Sequence, residues 1–410
     1  MLSLRPARAG VIGLLLAFVV AASLPQEGWN SARAAGETVK IGVDLPMSGG
    51  DASNGIPTNQ GVILAVDEAN AKGGPVKFQA YTLDDAVQGT HDPAQGAQNI
   101  KTFISDSAVL GVVGPFNSNV AQAEIPLGND AGLVIISPSN TNDGLTIGEN
   151  AKKLRASHPD ENAYFRVCTR DQNQGKAGAQ LAKSLGLKRV YVVDDNETYG
   201  KGLADVFESA FKSDGGTILG HDHLTKNQQD FKALLTRIKA TKPDGIYFGG
   251  VTVSGGGLLR RQMADAGMGS VPFVGGDGIS DEEFIKVAGS MANGAYYTVA
   301  APDTAKLASA KAFIAAYKAK FKSDPGPYSA NAYAAALVII DAVNKAAKSS
   351  GKMPTRAEVL KNVQATKDIQ TPIGTVGFDK NGDTTNGVIS AYKIVNGKDT
   401  FISQAAVKST

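Results

Sequence analysis

At three places in the sequence, small polar side chains directly follow short apolar runs. The run 109–113 ends in Gly114-Pro115-Phe116-Asn117-Ser118-Asn119, with a helical pattern from about Val120. A helix start exposes unpaired backbone N–H groups and a partial positive charge, so Ser118 and Asn119 either cap the helix or help it hold a carboxylate. The run 133–136 leads into Ser137-Pro138-Ser139-Asn140-Thr141, a second cluster of hydroxyls and amides able to converge on the same anion. The third place has the opposite sign. In Gly275-Gly276-Asp277-Gly278 one carboxylate stands among glycines, which let backbone and ligand approach closely, and Asp277 either pairs with an ammonium or caps a helix at Ser280.

Other chemistries find little support. The four histidines, His91, His158, His221 and His223, sit in no catalytic or H-E-x-x-H context, and no Gly-Lys pair is followed by the Ser or Thr of a P-loop. His221 and His223 share a face of a strand and would hold a metal only with a third ligand, so an exposed sheet edge is the preferred reading. Asp379 to Asp383 resembles part of a calcium loop without its distant Glu, and reads as the turn of a closing hairpin over 378–401. No catalytic residue, metal site or cofactor is assigned, and an enzyme is not expected.

The elements that must position these residues alternate. Apolar β-rich runs at 39–45, 76–83, 109–113 and 133–136, then at 164–168, 189–193, 217–221, 245–248 and 272–274, are separated by segments of helical period. That rhythm predicts an α/β protein of two doubly wound, Rossmann-like lobes, with ligand bound in the cleft where loops at the carboxyl ends of the strands converge. Long helices follow at 305–321 and 331–348 with no strands of their own.

The chain opens with Arg5 and Arg8, an apolar run 11–22 and then Ala32-Arg33-Ala34, the order of a cleavable secretory signal over residues 1–34. About a dozen apolar residues fall short of the roughly 20 that span a bilayer. The one cysteine, Cys168, lies far beyond the run, so no lipid anchor is expected, and it reads as core. With 41 basic against 39 acidic residues, neither nucleic acid nor an anionic membrane is an expected partner.

Taken in order, these segments resemble the leucine-isoleucine-valine-binding protein family. The resemblance is carried by Val39-Lys40-Ile41-Gly42-Val43, Pro46-Met47-Ser48-Gly49, Asp67 to Gly74, Asp84-Asp85, Val113-Gly114-Pro115 and Ser137-Pro138. It continues through Phe165-Arg166, Asp171, Gln174-Gly175, Asp194, Tyr199-Gly200-Lys201-Gly202 and Gly275 to Gly278. It implies two lobes joined by three crossings, placed near Val167, Tyr297 and Gly374. One lobe then takes 35–167 with 298–373, the other 168–297 with 374–410. It further implies that Ser118, Ser139 and Thr141, with Asn140 in the same loop, hold a ligand carboxylate. Asp277 would hold its ammonium and Tyr199 would cover it.

Asn54 and Val251 stand where relatives often place an aromatic wall, so a differently shaped pocket is expected. Arg170 either reaches the cleft, favouring a ligand with a second acid group, or pairs with Asp171. The implied role is a monomeric periplasmic receptor that delivers a branched-chain or similar small amino acid to the permease of an ABC transporter in the inner membrane. An aromatic carboxylate, an amide or another polar solute is the alternative ligand, and a ligand-sensing module the alternative role.

Overall fold

The computed structural model describes residues 38–407; the expected leader lies outside the described residues. Val109–Val113 is apolar throughout and buried at every position, as a central parallel strand covered by helices on both faces must be. It pairs with Thr38–Leu45 and Val134–Ser137, and the sheet ends in Lys77–Asp84 on one side and Tyr164–Arg166 on the other. Numbered by chain position, the order is 2-1-3-4-5. The second sheet repeats it: Thr217–His223, Arg189–Asp194, Gly245–Gly249, Phe273–Gly275, Ala295–Val299, extended by the antiparallel strands Gly387–Val395 and Lys398–Val407. In this order the strand sequence reverses between strands 1 and 3, which opens a crevice at their carboxyl ends. Each lobe therefore brings one such crevice.

The late helices complete the first lobe. Ser329–Ser350 buries fifteen residues, many of them alanine, against the helix Ala52–Lys72 and the first sheet. Gly61 permits that close approach, since a Cβ there would lie 2.1 Å from the Ser329 carbonyl oxygen. Among the described residues no helix is long and apolar enough to cross a membrane.

Two crossings fall later than the sequence places them. Val299, Ala300 and Ala301 still pack in the second core, while Phe313 packs in the first, so the chain crosses between them rather than at Tyr297. Val376 and Phe378 remain in the first core and the next strand begins at Gly387, so the third crossing follows Phe378 rather than Gly374. Apolar runs mark strands but do not mark which core receives them. The first crossing lies where Val167 packs in one core and Cys168 in the other.

The closing hairpin also turns elsewhere. Asn396 and Gly397, both at positive φ (51° and 69°), connect its strands, as a tight two-residue hairpin connection demands. Asp379 to Asp383 is a separate turn, and its Asp383 reaches Arg166.

Arg166 is fully buried at the first crossing. Its Nε donates to Asp383 Oδ1 at 2.7 Å, and its Nη1 donates to the carbonyls of Asn140 and Asn142 at 3.0 and 2.8 Å. One guanidinium thus ties the loop after Val134–Ser137 to the segment before the third crossing. Arg166→Ala should destabilise the fold by about 3 kcal/mol, because Asp383 loses its shorter buried partner and keeps only Arg170 Nε at 3.3 Å. Urea unfolding at neutral pH measures it; Arg166→Lys should recover only part of the loss, lacking the planar fork.

Candidate functional site

The carboxyl ends of both sheets face each other across one cavity. From the first lobe it is lined by Asp51, Asn54, Phe116, Asn117, Ser118, Ser139 and Tyr328, and from the second by Tyr199, Val251, Asp277 and Gly278. Asp51 and Asn54 follow strand 1 of their sheet, Phe116 to Ser118 follow strand 3, and Tyr199 and Val251 hold the equivalent places in the other lobe. The cavity measures about 30 Å³, room for one or two waters, so the lobes are closed upon one another.

At one pole stands Asp277. Its Oδ1 accepts from the Tyr199 hydroxyl at 2.5 Å and from Gln174 Nε2 at 3.0 Å, and its Oδ2 accepts from the Tyr328 hydroxyl. Burial raises its pKa, and these hydrogen bonds oppose the rise. A carboxylate offers about four acceptor positions, so one remains for a ligand donor. The flanking glycines make room for protein rather than ligand. A Cβ at Gly276 would meet the Tyr199 hydroxyl at 2.4 Å, and one at Gly278 the Gly250 carbonyl oxygen at 2.2 Å. Asp277 caps no helix; that role falls to Asp281, whose Oδ1 accepts from Phe284 N at 2.7 Å.

At the other pole the helix Ser118–Asp130 begins against the cavity. The Ser139 hydroxyl already donates to the Phe116 carbonyl at 2.8 Å, so it can only accept from a ligand. The Ser118 oxygen accepts from Asn142 N at 3.5 Å and keeps its own proton to donate. Ser118 and the helix N–H groups therefore make an end with the chemistry to accept an anion.

Ser118, Ser139, Tyr199, Asp277, Asn54 and Val251 thus meet in the cavity; Asn140, Thr141 and Arg170 do not line it. Asn140 is fully buried, donating to the Phe116 carbonyl at 2.8 Å and accepting from the Tyr164 hydroxyl at 3.0 Å, which shapes the loop behind the cavity. Thr141 is fully buried, and its carbonyl accepts from Asp171 N at 2.8 Å. Arg170 turns to Asp143 and Asp383, at 2.9 and 3.3 Å, rather than to the cleft or to Asp171. Tyr199 does more than cover a ligand: it holds Asp277. Tyr328 and Asp51 were missed: Asp51 stands at the start of the helix Ala52–Lys72 and reads as its cap, and Tyr328 lies in no strand-to-helix junction. Tyr328 sits just before Ser329–Ser350, brought to the cleft by a remote segment.

Around the cavity, polar side chains join the lobes. Asn54 donates to Asp281 at 3.1 Å, and burial pushes the Asp281 pKa up to about 7. His91 places Nδ1 2.7 Å from Asp51 Oδ2 in its own lobe and Nε2 2.8 Å from Glu197 Oε2 in the other. Asn119 donates to the same Glu197 oxygen at 3.1 Å.

Comparison with known proteins agrees with this architecture. The family model described as Periplasmic binding protein matches residues 38–399. The "Leu/Ile/Val-binding protein homolog 3" of Brucella melitensis is 34% identical, over 90% of this chain and 94% of its own. The chain belongs to the leucine-isoleucine-valine-binding family of periplasmic binding proteins. The Pseudomonas aeruginosa "leucine-, isoleucine-, valine-, threonine-, and alanine-binding protein" is 28% identical, over 91% of this chain and 94% of that one. The crystal structure of the Streptococcus pneumoniae branched-chain amino acid transporter substrate-binding protein LivJ, in complex with isoleucine, superposes with a TM-score of 0.77 at 30% identity. It covers 91% of this chain and 100% of that one. These relatives are binding proteins of transport systems, and this periplasmic binding protein is not an enzyme.

The His91 contact gives closure a pH dependence. Burial opposes charging of the imidazole, but the hydrogen bonds to Asp51 and Glu197 prevail and raise its pKa well above the ordinary value. Opening removes only Glu197, since Asp51 shares the lobe of His91, so the part of this stabilisation that Glu197 contributes to the closed form is present at low pH and is lost as pH rises through the raised pKa. The radius of gyration of the ligand-bound protein should therefore grow with pH across that range. Glu197→Gln should flatten the response and weaken ligand binding by about 1.5–3 kcal/mol, one charged hydrogen bond between lobes.

Proposed function

We propose that this protein is the capture component of an ABC transporter for a small aliphatic α-amino acid, held as a zwitterion between the lobes. The observation that carries the reading is the polarity of the cavity. Ser118 and a helix start line it from the first lobe and the Asp277 carboxylate from the second, together with Val251, Phe116 and the tyrosine rings. A carboxylate and an ammonium on one α-carbon match those poles, and a short aliphatic side chain matches the wall. Relatives named for binding leucine, isoleucine and valine, and in one case threonine and alanine, support the same class.

Closure removes both ligand charges from water, so each must meet its partner. A ligand lacking its ammonium leaves Asp277 with an acceptor position unfilled, and one lacking its carboxylate leaves the Ser118 end unpaired. Selectivity for the α-amino acid pattern follows. The leader pattern and the family support a periplasmic location, with transfer to an inner-membrane permease as the next step. An aromatic carboxylate or amide is the second ligand reading: two phenol hydroxyls already donate to Asp277, so an uncharged donor would suffice as the third.

Titration calorimetry separates the two. Asp277→Ala should cost about 3–5 kcal/mol of amino-acid binding, the usual penalty for removing one partner of a buried charge pair. Ser118→Ala should cost less, about 1.5–3 kcal/mol. The deaminated analogue should bind the wild type far more weakly than the amino acid; equal affinity would replace the zwitterion with the uncharged donor.

A further inference from the structure

Thr217–His223 is the outer strand of the second sheet, and its alternation sends His221 and His223 to one face and Asp222 to the other. Asp222 is engaged there by the Tyr191 hydroxyl at 2.7 Å and by Arg237 at 3.3 Å. On the histidine face, the register aligns His223 with Asp194 of the neighbouring strand, so the Asp194 side chain stands beside both rings. Asp194 Oδ2 lies 2.7 Å from His221 Nε2 and 2.8 Å from His223 Nδ1. The three ligand atoms fall within 4.8 Å of one another.

The protons on these rings do not suffice for their neighbours. His221 Nδ1 faces Glu208 Oε2 at 2.9 Å while Nε2 faces Asp194, so each ring nitrogen meets a carboxylate. A neutral imidazole carries one N–H and satisfies only one of them. His223 Nδ1 presses on the same Asp194, whose side chain is fully buried. Something positive belongs between these nitrogens and that carboxylate. It is either a second proton on His221 or one cation shared by His221 Nε2, His223 Nδ1 and Asp194.

We propose that Asp194, His221 and His223 form a binding site for a divalent transition metal of the zinc class, with Glu208 orienting His221 from behind. A carboxylate on the far nitrogen of a metal-bound histidine is the usual second contact in such sites, fixing the tautomer that presents Nε2. Glu208 is itself fixed by Lys212 at 2.5 Å. Two imidazoles and one carboxylate suit zinc, nickel or copper, whereas calcium and magnesium favour oxygen donors. Tetrahedral zinc at about 2.0–2.2 Å from each atom spaces its ligands about 3.4 Å apart. The contacts of Asp194 to the two rings, at 2.7 and 2.8 Å, need open by only about 0.6–0.7 Å, and His223, at 44% side-chain exposure, has the freedom to do so. That exposure also leaves the fourth position to water or to a donor from another molecule. Asp194 Oδ1 accepts from Asn196 N at 2.8 Å, at the base of the short loop that carries Glu197 and leads into the helix of Tyr199, so a metal here would stiffen that loop.

The test is calorimetry of chelator-treated, amino-acid-free protein with zinc chloride, with magnesium and calcium chlorides as controls. One zinc per chain is expected, with at least tenfold weaker binding in both His221→Ala and His223→Ala and no saturable response to the hard cations. Cobalt(II) should give the visible absorption of a tetrahedral site in the wild type and lose it in His223→Ala. That substitution lies at an exposed strand end, and circular dichroism confirms that the variant remains folded. Absence of saturable zinc binding, or equal affinity in wild type and both variants, overturns the proposal and leaves a proton-bridged cluster.

Discussion

The carboxylate of Asp277 is withdrawn from water between two lobes, and a charge so placed is tolerable only when donors or a cation surround it. Tyr199 and Gln174 supply donors from its own lobe, and Tyr328 supplies one from the other. Compensation is complete only when the lobes meet, so closing the cleft and satisfying the charge are one event. The glycines on either side, the short turn after Phe273–Gly275 and the position of Tyr199 all serve to hold one oxygen pair at the end of a small cavity.

The opposite pole is built with less charge. Among the described residues no cationic side chain lines the cavity; a hydroxyl and the start of a thirteen-residue helix face it instead. Arg166 and Arg170, the nearest candidates in the sequence, are both engaged by Asp383 behind the loop. Backbone donors are fixed in direction, whereas a flexible cation would accept many anions, and fixed donors discriminate by shape. The rim adds contacts at Asn54, His91 and Asn119 that form only when the lobes are together.

How far the sequence discloses this depends on distance along the chain. Strand ends and the polar residues after them are local, so Ser118, Ser139, Tyr199, Val251 and Asp277 were readable from apolar runs and junction chemistry joined to a family resemblance. Tyr328 was not, because it precedes a helix and reaches the cleft only through long-range packing. Asn140, Thr141 and Arg170 carry site-like chemistry in a site-like position, yet burial of Arg166 draws their loop backwards and spends their polarity on structure. The crossings were misplaced for a related reason: Ala300 and Val376 look alike in sequence but belong to different cores. Three Asn-Gly pairs lie in the closing segment; Asn386-Gly387 opens a strand, and the choice of turn between Asn381-Gly382 and Asn396-Gly397 is made by Arg166, which captures the first.

The helix Ser329–Ser350 covers a sheet whose central strands were laid down more than two hundred residues earlier in the chain. A chain emerging from its N-terminus therefore makes every strand of the first sheet, and then five strands of the second, before the element that buries the first sheet's apolar face exists. Until then neither core can close, because the second sheet also waits for Gly387–Val395. Such non-local pairing makes folding late and slow relative to synthesis. The three segments of chain that pass between the lobes thus also leave both cores incomplete until most of the polypeptide has been made.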